Sequence, residues 1–237
     1  MRIKLFSFKK LLLQGNSFLW NSNISKLNLS HSIMLINKSS RMNLHTTYLN
    51  GVKSLFKYYR SLAEKSIAQV EPEQIFLRPS DESNSIAIIV QHMAGNMISR
   101  WTDFKTTDGE KAWRNRDEEF MAIIQDKDQL MQRWEAGWEC FEHALDSIYE
   151  EDLQEIIYIR NEGHSIMDAL NRQLAHYSYH VGQIVFIAKM LKQSEWNSLS
   201  IPLNKSASYN SDKFLLEKGI RHFTSSVSPD KKLDEKN

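Results

Sequence analysis

The chain has a single cysteine, Cys140, among 237 residues. That excludes an intramolecular disulfide and makes a reducing compartment the expected setting. Cys140 falls inside an amphipathic helical pattern, where a buried, inert thiol is the expected reading. Long apolar runs are also missing. The longest clean one, residues 85–90, falls far short of the roughly 18 residues that suggest a membrane span, so no membrane partner is expected. Nor is the body of the chain basic. Of 30 basic and 29 acidic residues, seven basic ones (Arg2, Lys4, Lys9, Lys10, Lys26, Lys38, Arg41) and no acidic ones fall in residues 1–41, leaving 23 basic against 29 acidic in the rest. A mildly acidic body lacks the face that replaces phosphate counterions, so no nucleic acid is expected as a partner.

The missing acids set residues 1–41 apart as an extension rich in Ser, Asn and Lys, expected to be disordered and outside the fold. A start assigned too early is the favoured reading, because ordinary globular sequence begins at Met42. A basic, Ser-rich transit peptide is the alternative. A secretory signal fits less well, since Leu11-Leu12-Leu13 is short and no clear cleavage site comes after it. The expected location is cytoplasmic, or organellar if the extension is a transit peptide.

Helical periodicity organises the body of the chain. Leu44, Tyr48, Val52, Leu55, Tyr59, Leu62 and Ile67 recur at three- and four-residue steps and predict a helix over 44–70. Glu71-Pro72-Glu73 interrupts it. Asn84 or Ser85 caps a second helix, 86–104, apolar nearly all round and therefore central. Thr106-Thr107-Asp108-Gly109 reads as a turn. Residues 110–126 are charged and irregular, with Trp113 as their anchor. A third helix covers 127–147, residues 156–159 suit a brief strand, and Asn161-Glu162-Gly163-His164 reads as a turn. Ser165 caps a fourth helix, 166–192. Residues 196–210 read as an irregular tail, 211–223 as a short helix, and 225–237 as disordered. The expected class is all-α, a four-helix bundle over 42–210 with a C-terminal tail over 211–237.

The chemistry concentrates in histidines. His176 and His180 stand four residues apart, one above the other on one helical face, where two imidazoles can grip one ion. His92 lies on the central helix, and bundles build metal sites from facing helices. Three neutral imidazoles suit Zn²⁺, Ni²⁺, Cu²⁺ or Fe²⁺ and leave a position for water or substrate. Gln173, Gln183 and Asn96 are the candidates for orienting the rings, and no carboxylate is assigned to the site. Gly95 and Gly182, costly inside helices, suggest close approach of another element or a ligand. His143 belongs to a solvated face and His164 to a loop at the site's mouth or a turn cap, while His31, His45 and His222 lie near the termini. Asp117-Glu118-Glu119 reads as a solvated face. Trp101, Trp113, Trp134 and Trp138 read as core ahead of a substrate pocket.

His92 together with His176-Tyr177-Ser178-Tyr179-His180-Val181-Gly182-Gln183-Ile184 resembles the DinB/YfiT-like superfamily of metal-dependent proteins. Residues 83–87, 92–96, 100–104, 107–110 and 160–164 resemble one bacterial branch of it, known only as a domain of unknown function. The resemblance covers about 44–210. It implies a four-helix bundle, often a homodimer, with a divalent metal (Zn, Ni or Fe class) on His92, His176 and His180. Characterised relatives include transferases and isomerases that use bacillithiol, mycothiol or glutathione, so a low-molecular-weight thiol is an implied cofactor. Three functions stand as expectations: a thiol-dependent S-transferase acting on a small-molecule electrophile; a metal-dependent hydrolase with Glu162 or Asp103 as general base; and a non-enzymatic metal-binding stress protein.

Overall fold

The computed structural model describes residues 43–226; the expectations for 1–41 and beyond 226 lie outside the described residues. From Leu44 onward the chain forms one unit. Four long helices build it: α1 (Leu44–Ile67), α2 (Ile86–Trp101), α3 (Lys127–Asp146) and α4 (Ile166–Lys192). Three of the starts are fixed by side-chain caps. Ser85 Oγ accepts from the Ile88 amide, Asp126 from Gln129 and Ser165 from Asp168, each holding an N–H that the helix itself leaves unpaired. The chain is an all-α four-helix bundle, and among its described helices none is long and apolar enough to cross a membrane.

Helix α2 is the central element. Every residue of it except Ile98 is buried, its polar face of His92, Asn96, Ser99 and Arg100 along with its apolar ones. It packs against α3 and α4, and α1 closes the bundle against α4. Between the helices the rings of Phe56, Trp101, Trp138, Phe141 and Tyr177 meet edge-on or tilted, with centroids 4.5–5.9 Å apart. Trp134 is a core residue too, so three of the four tryptophans weighed as core in the sequence fill the bundle. Trp113 does not: it is 60% exposed.

Two connections differ from the sequence reading. The strand β1 (Ile156–Ile159) has a partner, β2 (Glu162–Ser165), in an antiparallel hairpin. The turn is therefore Arg160-Asn161, both with positive φ (56° and 62°), and residues 162–164 pair in the ladder instead of turning. A carboxylate from elsewhere in the chain supports this turn: Asp108 Oδ1 accepts from the Arg160 amide and Oδ2 from the Asn161 amide, both at 2.8 Å. Near the C-terminal end the short helix is α5 (Ser206–Phe214), earlier than 211–223. None of its residues is buried, so no apolar periodicity marked its position.

Candidate metal centre

Helices α2 and α4 bring His92, His176 and His180 together, with one ring nitrogen from each within 4.8 Å of the others. His176 Nε2 lies 3.3 Å from His92 Nε2 and 3.1 Å from His180 Nε2. The ring planes stand 70–81° to one another, so the three nitrogens converge edge-on. Two histidine nitrogens bound to one ion at near-tetrahedral angles stand about 3.4 Å apart, and the observed spacing is close to that.

The outer nitrogens explain why the inner ones point inward. His92 Nδ1 lies 2.9 Å from Glu119 Oε2, and an ionised carboxylate can only accept, so this Nδ1 carries the hydrogen, which leaves Nε2 as the nitrogen a metal would take. His180 Nδ1 lies 2.8 Å from Gln183 Oε1, with the same consequence. His176 Nδ1 faces the Gln173 side-chain amide at 3.4 Å, and Gln173 in turn donates to Asn96 Oδ1 at 2.9 Å. At least two lone pairs therefore aim at one point already crowded by a third nitrogen. Protonation does not relieve this readily. Burial first, then the neighbouring histidines and the positive charges of Arg100 and Arg114, lowers His176 to about 3. Burial, with a smaller opposing push from Gln183, lowers His180 to about 4. His176 and His180 stay neutral at physiological pH, as metal ligands must be. A divalent cation fits this donor set, and the cluster could hold one. His92 is 4% and His180 8% exposed, while His176 is half-buried and faces solvent most.

Glu119 is the residue that sequence reasoning missed. Its run Asp117-Glu118-Glu119 is not a solvated face throughout, because Glu119 is buried and Arg114 grips both its oxygens at 2.8 Å. Burial pushes its carboxyl up, but His92 and Arg114 more than offset that and hold it below the usual carboxylate range. The site thus has a carboxylate behind its first ligand, where none was expected. Gly95 makes the room: a methyl group there would come within 2.7 Å of the Glu119 carboxyl carbon. That glycine, one turn after His92, was the available signal. Gly182 has open space around it and receives no close approach.

The loop before α3 arrives with Glu119. Phe120 lays its ring over His92 at 4.6 Å between centroids, and Gln91 donates to the carbonyls of Glu118 and Met121. Behind Arg114, Glu110 bonds Arg114 at 3.0 Å and Arg160 of the hairpin turn at 3.3 Å. The polar chain therefore runs from the hairpin to His92. The remaining candidates stay apart from the cluster. Glu162 is exposed on β2 and Asp103 is exposed after α2. His164 binds Asp168 at 3.3 Å and accepts from Arg172 at 3.0 Å. His143 is exposed on α3.

Residues 43–205 match a family model described as a protein of unknown function (DUF1572). No curated protein matches the chain.

Proposed function

The chain belongs to the DUF1572 family, and we propose that His92, His176 and His180 hold one divalent ion of the Zn, Ni or Fe class there. We propose further that this family is a branch of the DinB/YfiT-like superfamily, on the strength of the three-histidine pattern and the all-α bundle. The observation that carries the reading is the convergence of three Nε2 atoms, two of them on rings held from behind by an acceptor. Such an ion supplies a Lewis acid that lowers the pKa of a thiol or water, giving a nucleophile at neutral pH.

The chain's own residues prepare that site. Glu119 and Gln183 fix the tautomers of His92 and His180, so both lone pairs are committed before any ion arrives. Phe120 shields one face of His92 from water. The activity we favour is thiol-dependent S-transfer from a low-molecular-weight thiol to a small electrophilic substrate. In it the thiol gives up its proton and the electrophile its leaving group. A hydrolase needs a free general base beside the cluster. Glu119 is committed to Arg114 and His92, and neither Glu162 nor Asp103 reaches the cluster.

The test offers the zinc-loaded protein glutathione and a chlorinated aromatic electrophile. Thiol-dependent loss of the electrophile that disappears in His176→Ala is the expected result. Turnover of the electrophile without thiol would sink the transferase reading and favour hydrolysis.

A further inference from the structure

The face of α2 that carries His92 and, one turn on, Asn96 continues after a second turn to Arg100. Arg100 is 7% exposed, and no described residue accepts a hydrogen bond from its Nε. No carboxylate among the described residues pairs with it either. Other arginines of the bundle are treated differently: Arg60 meets Glu64, Glu135 and Glu142, and Arg114 meets Glu110 and Glu119. The carboxylate whose charge reaches Arg100, Glu110, is already shared between Arg114 and Arg160.

Its neighbours add another donor. The indole Nε1 of Trp101 is buried with only the Tyr177 hydroxyl to receive it, and the charge of Arg100 is felt at Tyr177. Arg172 on α4 and Arg114 in the loop add positive charge towards Arg100. A guanidinium keeps its charge at any physiological pH, and burying it without a counterion is costly. Water can satisfy a donor, but it leaves the charge uncompensated. An oxyanion does both, and a planar guanidinium suits a carboxylate or phosphate in a two-point contact. The place is also relevant to the cluster, since Arg100 is among the charges that depress His176.

We propose that Arg100 is an anion receptor that takes a carboxylate or phosphate group of a ligand bound beside His176. This deepens the reading of the metal centre by giving its substrate an anionic group. The receptor itself is made of protein atoms alone and can be tested without metal.

The experiment titrates the full chain, chelator-stripped and zinc-loaded, with acetate and with inorganic phosphate. Acetamide at constant ionic strength is the uncharged control. Tryptophan fluorescence and melting temperature are read, and zinc content is measured on the same samples. Saturable binding of one oxyanion and not of acetamide is expected in both forms, and the tighter of the two identifies the group. Arg100→Met should weaken that binding at least about tenfold. Without anion it should melt no lower than wild type, because an unpaired buried charge has been removed. If Arg100→Met does not fold, Arg100→Lys, which keeps the stem and the charge but not the fork, should weaken binding by about the same factor. No saturable binding to the stripped wild type would overturn the proposal. So would wild-type affinity in the variant that folds. Arg100-dependent binding by a chain that takes up no zinc would sink the metal reading and spare this one; zinc uptake without anion binding would do the reverse.

Discussion

Helix α2 carries two buried polar stations eight residues apart, about 12 Å along its axis, and the bundle finishes them in opposite ways. At His92 the protein supplies what the outer nitrogen needs: Glu119 stands behind the ring, Arg114 behind Glu119, and Glu110 behind Arg114. What is left over is a set of lone pairs with nothing positive among them. At Arg100 no described residue supplies an acceptor for Nε, and the surplus is donors and positive charge. Asn96 and Gln173 bond to each other between the two. The difference teaches that buried polarity in this bundle is arranged around guests of opposite sign, a cation at one station and an anion at the next.

The largest effect expected at the cation station comes from removing its only ligand on α2. With His92→Ala the remaining pair on α4 should lose a divalent ion to a weak chelator that does not strip the wild type, as read by dialysis and elemental analysis. Next comes the support behind the ring. Glu119→Gln keeps the shape but trades the anion for a neutral amide, and metal affinity should fall about 10–100-fold in a competition titration. An unchanged affinity would mean that the chain behind His92 serves folding alone. Gly95→Ala attacks the same support sterically, pushing a methyl group against the Glu119 carboxyl, and should cost about 1–3 kcal/mol in denaturant unfolding.

His176 and His180 give the metal-free protein a pH dependence of stability on the acid side of neutrality. Their folded values, about 3 and about 4, lie below the ordinary 6.5, so the unfolded chain binds more protons between those limits. Stability from these two rings is complete above about 6.5 and should fall steadily as the pH drops towards 4, in urea midpoints taken across that window. A rise in stability on acidification would contradict their burial as neutral rings. The smallest effect contrasts the second glycine with the first. Gly182→Ala adds a methyl group in open space on α4 and should raise stability by about 1 kcal/mol in thermal melts.

Much of the fold could be read in the chain because its signals are local. The cap at Ser165, the bounds of α4 and the all-round burial of α2 each depend on residues within a few turns of one another. The meeting of His92 with His176 and His180 was legible for a related reason: a four-residue step on one helix and an apolar second helix leave few arrangements. Glu119 was not, because it lies in an irregular loop with no periodicity and meets His92 from 27 residues away, and its acidic neighbours Asp117 and Glu118 are exposed. The hairpin turn was displaced for a similar reason. Asp108, some fifty residues earlier, satisfies the amides of Arg160 and Asn161, and no local pattern announces that. Arg100 entered the sequence reading only as part of the stretch 100–104, because nothing in a sequence distinguishes a paired arginine from an orphaned one.

The central claim is that the three converging imidazoles are a metal site. It is tested most directly by the divalent metal content of the full chain and of His176→Ala, each loaded with zinc, nickel or ferrous iron and then dialysed. The account predicts one ion per wild-type chain and none retained by the variant. A wild type that retains no ion, or a variant that retains as much as the wild type, would contradict it.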